Sequence, residues 1–265
     1  IFMTDTLKIF EENDNKSLFF RVLIELRLFA RHFLFVIDTK SSGFIRLNFA
    51  LPIYTRSRRM MFDARRPMVI DNEDLEHLCE ELSDISSVLT QLVPGLSIGF
   101  KEISQTLDKD GEAATVTMLT AYRDGKELPL RDESDGVRKI ISVLSLIIAA
   151  FNEQSVTVAI DEFDAGIFEY LLGEILQSME ESGKGQFIFT SHNLRPLEVI
   201  NKKFLYFTTT NPQNRYIRLK NISATNNLRD TYFREIILCE QEEEIYNKTK
   251  KFKIIAALKK AGGLR

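Results

Sequence analysis

The 265-residue sequence has no dominant charge, little cysteine and no long uncharged apolar run. Lys and Arg number 35 against 38 Asp and Glu, a formal net charge of −3. That balance argues against a strongly basic nucleic-acid module and leaves only a local patch open. The two cysteines, Cys79 and Cys239, lie far apart without metal-ligand spacing and read as reduced thiols of a cytosolic protein. The most apolar stretch, residues 17–37, is interrupted by Arg21, Glu25, Arg27, Arg31 and His32. A membrane span does not carry charges at such short intervals. No secretory signal, internal repeat or low-complexity segment is visible, and no His-Asn-His pattern or acidic cluster suggests a nuclease centre.

What is present is ordinary core material, 44% hydrophobic residues, arranged in two textures. Residues 17–31 predict a helix, with apolar positions at Leu18, Val22, Leu23, Leu26 and Phe29. Residues 33–37 and the alternation Ile45, Leu47, Phe49, Leu51 predict strands. Residues 54–67 read as a basic, solvated connector. Asn72 is the expected N-cap of a helix carrying a leucine stripe at Leu75, Leu78, Leu82, Ile85, Leu89 and Leu92, ended by Pro94-Gly95. Strands are expected at 96–103, 115–122 and 128–130, the last two joined by a hairpin turn at Asp124-Gly125. From residue 133 the pattern becomes helix 137–151, strand 156–160, helix 165–181 and strand 186–190. Such alternation predicts a parallel, doubly covered sheet. Further strands at 203–208 and 216–219, a helix capped by Asn227 and Asp230, and a Lys-rich helix stopped by Gly262-Gly263 complete the expectation.

Three short motifs in the second texture carry chemistry. Glu133-Ser134-Asp135-Gly136 precedes a strongly apolar helix. A hydroxyl, a glycine amide and a helix N-terminus form an anion-binding arrangement, although the same spacing also serves a plain helix cap. Asp161-Glu162 follows a buried-strand pattern. Adjacent carboxylates there are costly without a task. In a nucleotide site the first holds Mg²⁺ and the second orients and deprotonates the attacking water. His192 follows the next strand and could reach a γ-phosphate oxygen in the same crevice.

Taken in order, Glu133 to Asn193 resembles the C-terminal lobe of an ABC-type ATPase head. Ser134-Asp135-Gly136 resembles the signature motif, Val156 to Glu162 the Walker B strand with its catalytic glutamate, Asp164-Ala165 the D-loop and His192 the switch histidine. The block 211–263, with Asn226-Asn-Leu-Arg-Asp230 and Glu240-Gln-Glu-Glu-Glu244, is similar to a bacterial "AAA family ATPase" group. That group is SMC-like, close to the ATPases of anti-phage systems and of overcoming-lysogenisation-defect nucleases. Two departures stand out. Asp135 replaces the signature's second glycine, and no Gly-x-x-x-x-Gly-Lys-Ser/Thr occurs.

The resemblance implies an α/β P-loop NTPase fold of the ABC head type. Residues 1–32 would end a helical insertion. Residues 33–265 would form the C-terminal lobe, divided into a β-rich part 33–130, a motif-bearing part 131–210 and an extension 211–265. It implies a cytoplasmic, SMC-like ATPase of DNA repair or anti-phage defence, whose cofactors are ATP and Mg²⁺. Asp161 would serve as metal ligand, Glu162 and His192 as catalytic groups, and Ser134, Asp135, Gly136 and Asp164 in nucleotide contact. The implied partners are a second copy joined through ATP, an upstream lobe carrying the phosphate loop, and DNA or a nuclease. No membrane partner is expected, and this chain alone should be inactive. A non-catalytic scaffold that kept the fold is the alternative. A transporter cassette fits less well, because such cassettes lack the β-rich segment.

Overall fold

The computed structural model describes residues 18–37, 50–54, 59–63, 66–218, 228–238 and 249–262. The chain divides into two units, residues 1–193 and residues 194–265.

In the first unit, α1 (Leu18–His32) leads into β1 (Leu34–Ile37). The expected basic connector is instead half of a hairpin, with β2 (Ala50–Tyr54) antiparallel to β3 (Arg59–Asp63). Phe62, between Met61 and Asp63, is 1% exposed, so burial of β3 outweighs the arginines flanking it in sequence. The predicted alternation at 45–49 lies outside the described residues.

A four-stranded antiparallel sheet follows, in the order β4 (Met68–Asp71), β6 (Ala113–Arg123), β5 (Leu96–Leu107), with β7 (Lys126–Pro129) also paired to β6. Helix α2 (Asn72–Leu92) packs on it through Leu75, Leu78, Leu82, Ile85 and Leu89, all buried. Asn72 does not cap this helix. Asp71 takes the N-cap position without a side-chain bond, while Asn72 Oδ1 accepts from Thr115 Oγ1 at 2.7 Å. The β6–β7 turn is as expected, with Asp124 at φ 49° and Gly125 at φ 78°, the pair of left-handed residues that a type I′ turn needs.

Helix α3 (Asp135–Asn152) is buried on most of its circumference, from Lys139 through Ile147 and again at Ala150. A helix apolar on nearly every side belongs between layers. Beyond it lies a parallel sheet in the order β1, β8 (Thr157–Ile160), β9 (Gln186–Phe189). Strand β1 therefore belongs with β8, not with the β-rich segment that follows it in sequence. Register places Phe35, Val158 and Phe187 in one row, and Ile37, Ile160 and Phe189 in the next. Phe163 packs edge-on against Phe187 and Phe189, with centroids 5.2 and 6.0 Å away. On the opposite face, the row Val36, Ala159, Ile188 is open, with Val36 65% and Ile188 50% exposed. Helix α4 (Glu169–Ser182) begins four residues later than the sequence suggests, because residues 161–167 form a turn with Glu162 and Gly166 at positive φ.

In the second unit, α5 (Pro196–Val199) precedes a short ribbon, β10 (Phe207–Thr208) against β11 (Tyr216–Ile217), then α6 (Leu228–Leu238) and α7 (Lys251–Ala261). The ribbon is shorter than the predicted strands, and residues 202–204 form a single 3₁₀ turn. Asn227, residues 240–244 and Gly263 lie outside the described residues. Among the described residues, no helix is long and apolar enough to cross a membrane.

Candidate functional site

Strand β8 is the middle strand of the parallel sheet, so its carboxyl end opens between two neighbours. Open α/β sheets bind ligands there. The Asp161 amide donates to Ile37 O at 2.8 Å, extending the β1 pairing. The Asp161 carboxylate accepts from Thr190 Oγ1. The same hydroxyl oxygen accepts from the Glu162 amide at 2.7 Å. Thr190, directly after β9, thus fixes both acidic residues.

Glu162 adopts φ 50°, a left-handed conformation that carries strain for a residue of its type and is typical of functional turns. Its side chain is 41% exposed, and its carboxylate lies 3.9 Å from His192 Nε2, on an imidazole 87% exposed. The two predicted catalytic groups therefore meet at one mouth. Asp164 lies beside them. Its oxygens accept from the His192 amide at 3.2 Å and the Asn193 amide at 3.0 Å, so it suspends the turn that carries His192.

The signature-like segment forms a second cluster. Ser134 is the N-cap of α3, and its Oγ accepts from the Val137 amide at 3.3 Å. Glu133 is buried and receives both Arg123 Nε at 3.2 Å and Nη2 at 2.9 Å. Arg138 donates to Glu133 O at 2.8 Å, to Arg131 O and to the Asp135 carboxylate. The extra negative charge of Asp135 is thereby paired within its own turn. Gly136 stands against Gly166 of the other cluster: a Cβ there would lie 2.0 Å from Gly166 O.

Lys139 joins the clusters and was not legible in the sequence, where a lysine on a helix reads as solvent-facing. It is 8% exposed, and its Nζ donates to the backbone carbonyl of Glu162. Burial pulls its pKa below the ordinary lysine value, against the opposing fields of Asp164, Glu162 and Asp161. An ammonium one helical turn after Ser134 thus secures the strained peptide of Glu162.

The donor set suits Mg²⁺. Among the described residues, no three His, Cys, Asp or Glu side chains converge into an all-protein metal cage. Mg²⁺ in nucleotide sites uses one or two carboxylates, with waters and phosphates completing the shell. Asp161, beside the Thr190 hydroxyl, offers hard oxygen ligands of that kind.

Comparison with curated proteins finds no match. Among solved structures, one described as "Crystal structure of the SmcHead bound to the C-winged helix domain of ScpA" is similar at a TM-score of 0.35 and 17% identity. The similarity covers 46% of this chain, which spans 36% of that one. A family model described as "AAA domain, putative AbiEii toxin, Type IV TA system" matches residues 22–198, more than half of the sequence and all of both clusters. The chain belongs to this AAA-domain family and has its mixed α/β, P-loop NTPase type of fold.

Proposed function

We propose that the chain supplies the hydrolytic half of an ATPase that closes around ATP between two copies. The observation that carries this reading is the meeting of Glu162 and His192, 3.9 Å apart, beside Asp161 at the end of the central parallel strand. Bound Mg²⁺–ATP would supply the γ-phosphoryl group and the charge that Asp161 is placed to hold. Glu162 acts as general base toward a water, and His192 donates toward a phosphate oxygen. Ser134 and Gly136 face the nucleotide held by the second copy. ATP thus joins the copies and hydrolysis releases them.

The phosphate loop belongs to a further lobe. Parallel sheets are normally covered on both faces, and the open row Val36–Ala159–Ile188 gives such a lobe an apolar seat. DNA maintenance or defence against phage is the setting this engine suits, with a nuclease as a companion activity.

The test uses the complete protein. Glu162→Gln should lower turnover by about 10²–10⁴-fold, the usual share of a general base, and should accumulate as an ATP-dependent dimer in size-exclusion chromatography. Ser134→Arg should bind ATP yet remain monomeric. A monomeric Glu162→Gln protein in saturating ATP would overturn the composite site.

A further inference from the structure

The net charge of the chain is slightly negative, yet residues 199–229 contain no Asp or Glu at all. The same stretch holds Lys202, Lys203, Arg215, Arg218, Lys220 and Arg229. The described part of this stretch is built around the β10–β11 ribbon of the second unit, whose two faces differ in kind. Phe207 and Ile217 are paired across the ribbon, and Phe207 stacks on Tyr232 of α6 with centroids 5.4 Å apart. That face is anchored.

Thr208 and Tyr216 are the other cross-strand pair. Side chains alternate along a strand and cross-strand partners share a face, so Tyr206, Thr208, Tyr216 and Arg218 all lie on the outer face. Tyr206 is 60% and Tyr216 68% exposed. The Arg218 guanidinium lies over the Tyr206 ring, 4.5 Å from its centroid, and Nη2 donates to the Tyr206 hydroxyl at 2.6 Å. Lys203 Nζ sits 4.6 Å from the ring of Phe204, itself 57% exposed.

Exposed tyrosines on a pinned ribbon, in a stretch of sequence whose charged residues are all cations, gain nothing for the fold by lying in water. Aromatic rings that offer a face for base stacking, with cations to track a phosphate backbone, are the two parts of a single-strand nucleic-acid platform. We propose that the outer face of the β10–β11 ribbon binds single-stranded nucleic acid, with Tyr206 and Tyr216 stacking bases and Lys202, Lys203, Arg215 and Arg218 contacting phosphates. The face is a two-stranded ribbon presenting exposed aromatic rings, which favours an unpaired strand, whose bases are free to stack, over a duplex. This inference is independent of the ATPase reading and needs no nucleotide.

The experiment is fluorescence anisotropy of the full chain with labelled oligothymidylate, in the absence of ATP and Mg²⁺, over a series of salt concentrations. Binding should weaken with salt, and Tyr206→Ala and Tyr216→Ala should each weaken it by roughly ten-fold while Tyr206→Phe retains most of it. Arg218→Ala should flatten the dependence of log K on log salt by about 0.7, the increment for one single-strand phosphate contact. Circular dichroism of each variant confirms that the ribbon unit is folded. Absence of salt-dependent binding overturns the proposal. Equal affinity for a duplex, with both alanine variants unchanged, overturns it too, since charge alone would then account for binding. Tighter binding of polyglutamate than of oligothymidylate, unchanged by Tyr206→Ala and Tyr216→Ala, would overturn it in favour of a dock for an acidic protein.

Discussion

Gly136 and Gly166 are in backbone contact: a Cβ added to Gly136 would stand 2.0 Å from the Gly166 carbonyl oxygen and 3.1 Å from its carbon. One glycine opens α3 and the other closes the turn after β8, so the absence of two side chains lets these segments touch. Gly136→Ala cannot be absorbed by a side-chain movement, because the obstacle is main chain. The expected cost is about 1–3 kcal/mol of stability, the usual range for overpacking, together with loss of turnover in the complete protein, since the displaced turn carries Glu162. Gly125→Ala is the control. A Cβ there meets nothing within 4 Å, and only the penalty of its positive φ, about 1 kcal/mol, should appear. Thermal unfolding of both variants decides; a Gly136→Ala protein as stable as the parent would refute the contact.

Lys139→Met should separate stability from activity. The apolar stem is kept, and the desolvation cost of a buried ammonium is removed, which offsets part of the stability lost with its hydrogen bond. The Glu162 carbonyl, however, loses its donor. A charge-assisted hydrogen bond of about 1.5–3 kcal/mol corresponds to a fall in turnover of at least ten-fold if it holds the base in place. Unfolding midpoints and steady-state ATP hydrolysis of the complete protein are the two measurements. Parent-like turnover in the variant would show that Lys139 only fills space.

The motif pair Asp161-Glu162, the histidine after β9 and the leucine stripe of α2 could all be read from the sequence, because each rests on local pattern: a short apolar run, a 3.6-residue period, a turn dipeptide. What could not be read was non-local. Leu34 finds its partner in Thr157, across the whole antiparallel sheet, and no periodicity near Leu34 announces it. Phe62 is buried although its neighbours Arg58 and Arg59 suggest solvent. Lys139 is buried because α3 is enclosed, a property of its neighbours and not of its own sequence. Asn72 has ideal capping chemistry, yet Thr115 claims its side chain from a distant strand. Glu162 at positive φ shortens the following helix by four residues, which helix propensity alone cannot foresee.

In the second unit, Glu198 accepts from Arg229 Nη1 at 2.8 Å and from Arg195 Nη1 at 2.7 Å. Arg229 first, then Arg195, hold its carboxyl below the ordinary value of 4.5. Because the folded-state value is depressed, the contribution to stability is present above the unfolded value and is lost as pH falls through the folded one. Glu198→Gln should therefore unfold more easily than the parent near neutrality, and the difference should close in acid. Thermal scans of both proteins across that range provide the check. A gap that persists at low pH would mean the triad acts through packing rather than charge.

The pairing of β1 with β8 also sets an order of events. The strands β4 to β7 and helix α2 pair and pack within residues 68–129, whereas β1 must wait for β8 on the far side of all of them. Closing a long loop costs entropy that only later contacts repay. The antiparallel sheet should thus form early and the parallel sheet last, and pulse-labelled amide exchange during refolding should protect Val116 and Leu119 before Val158 and Ile160. The mouth that holds Glu162 and His192 would be the final part of the molecule to exist, so a chain stalled in folding has no half-built centre with which to capture or waste a ligand.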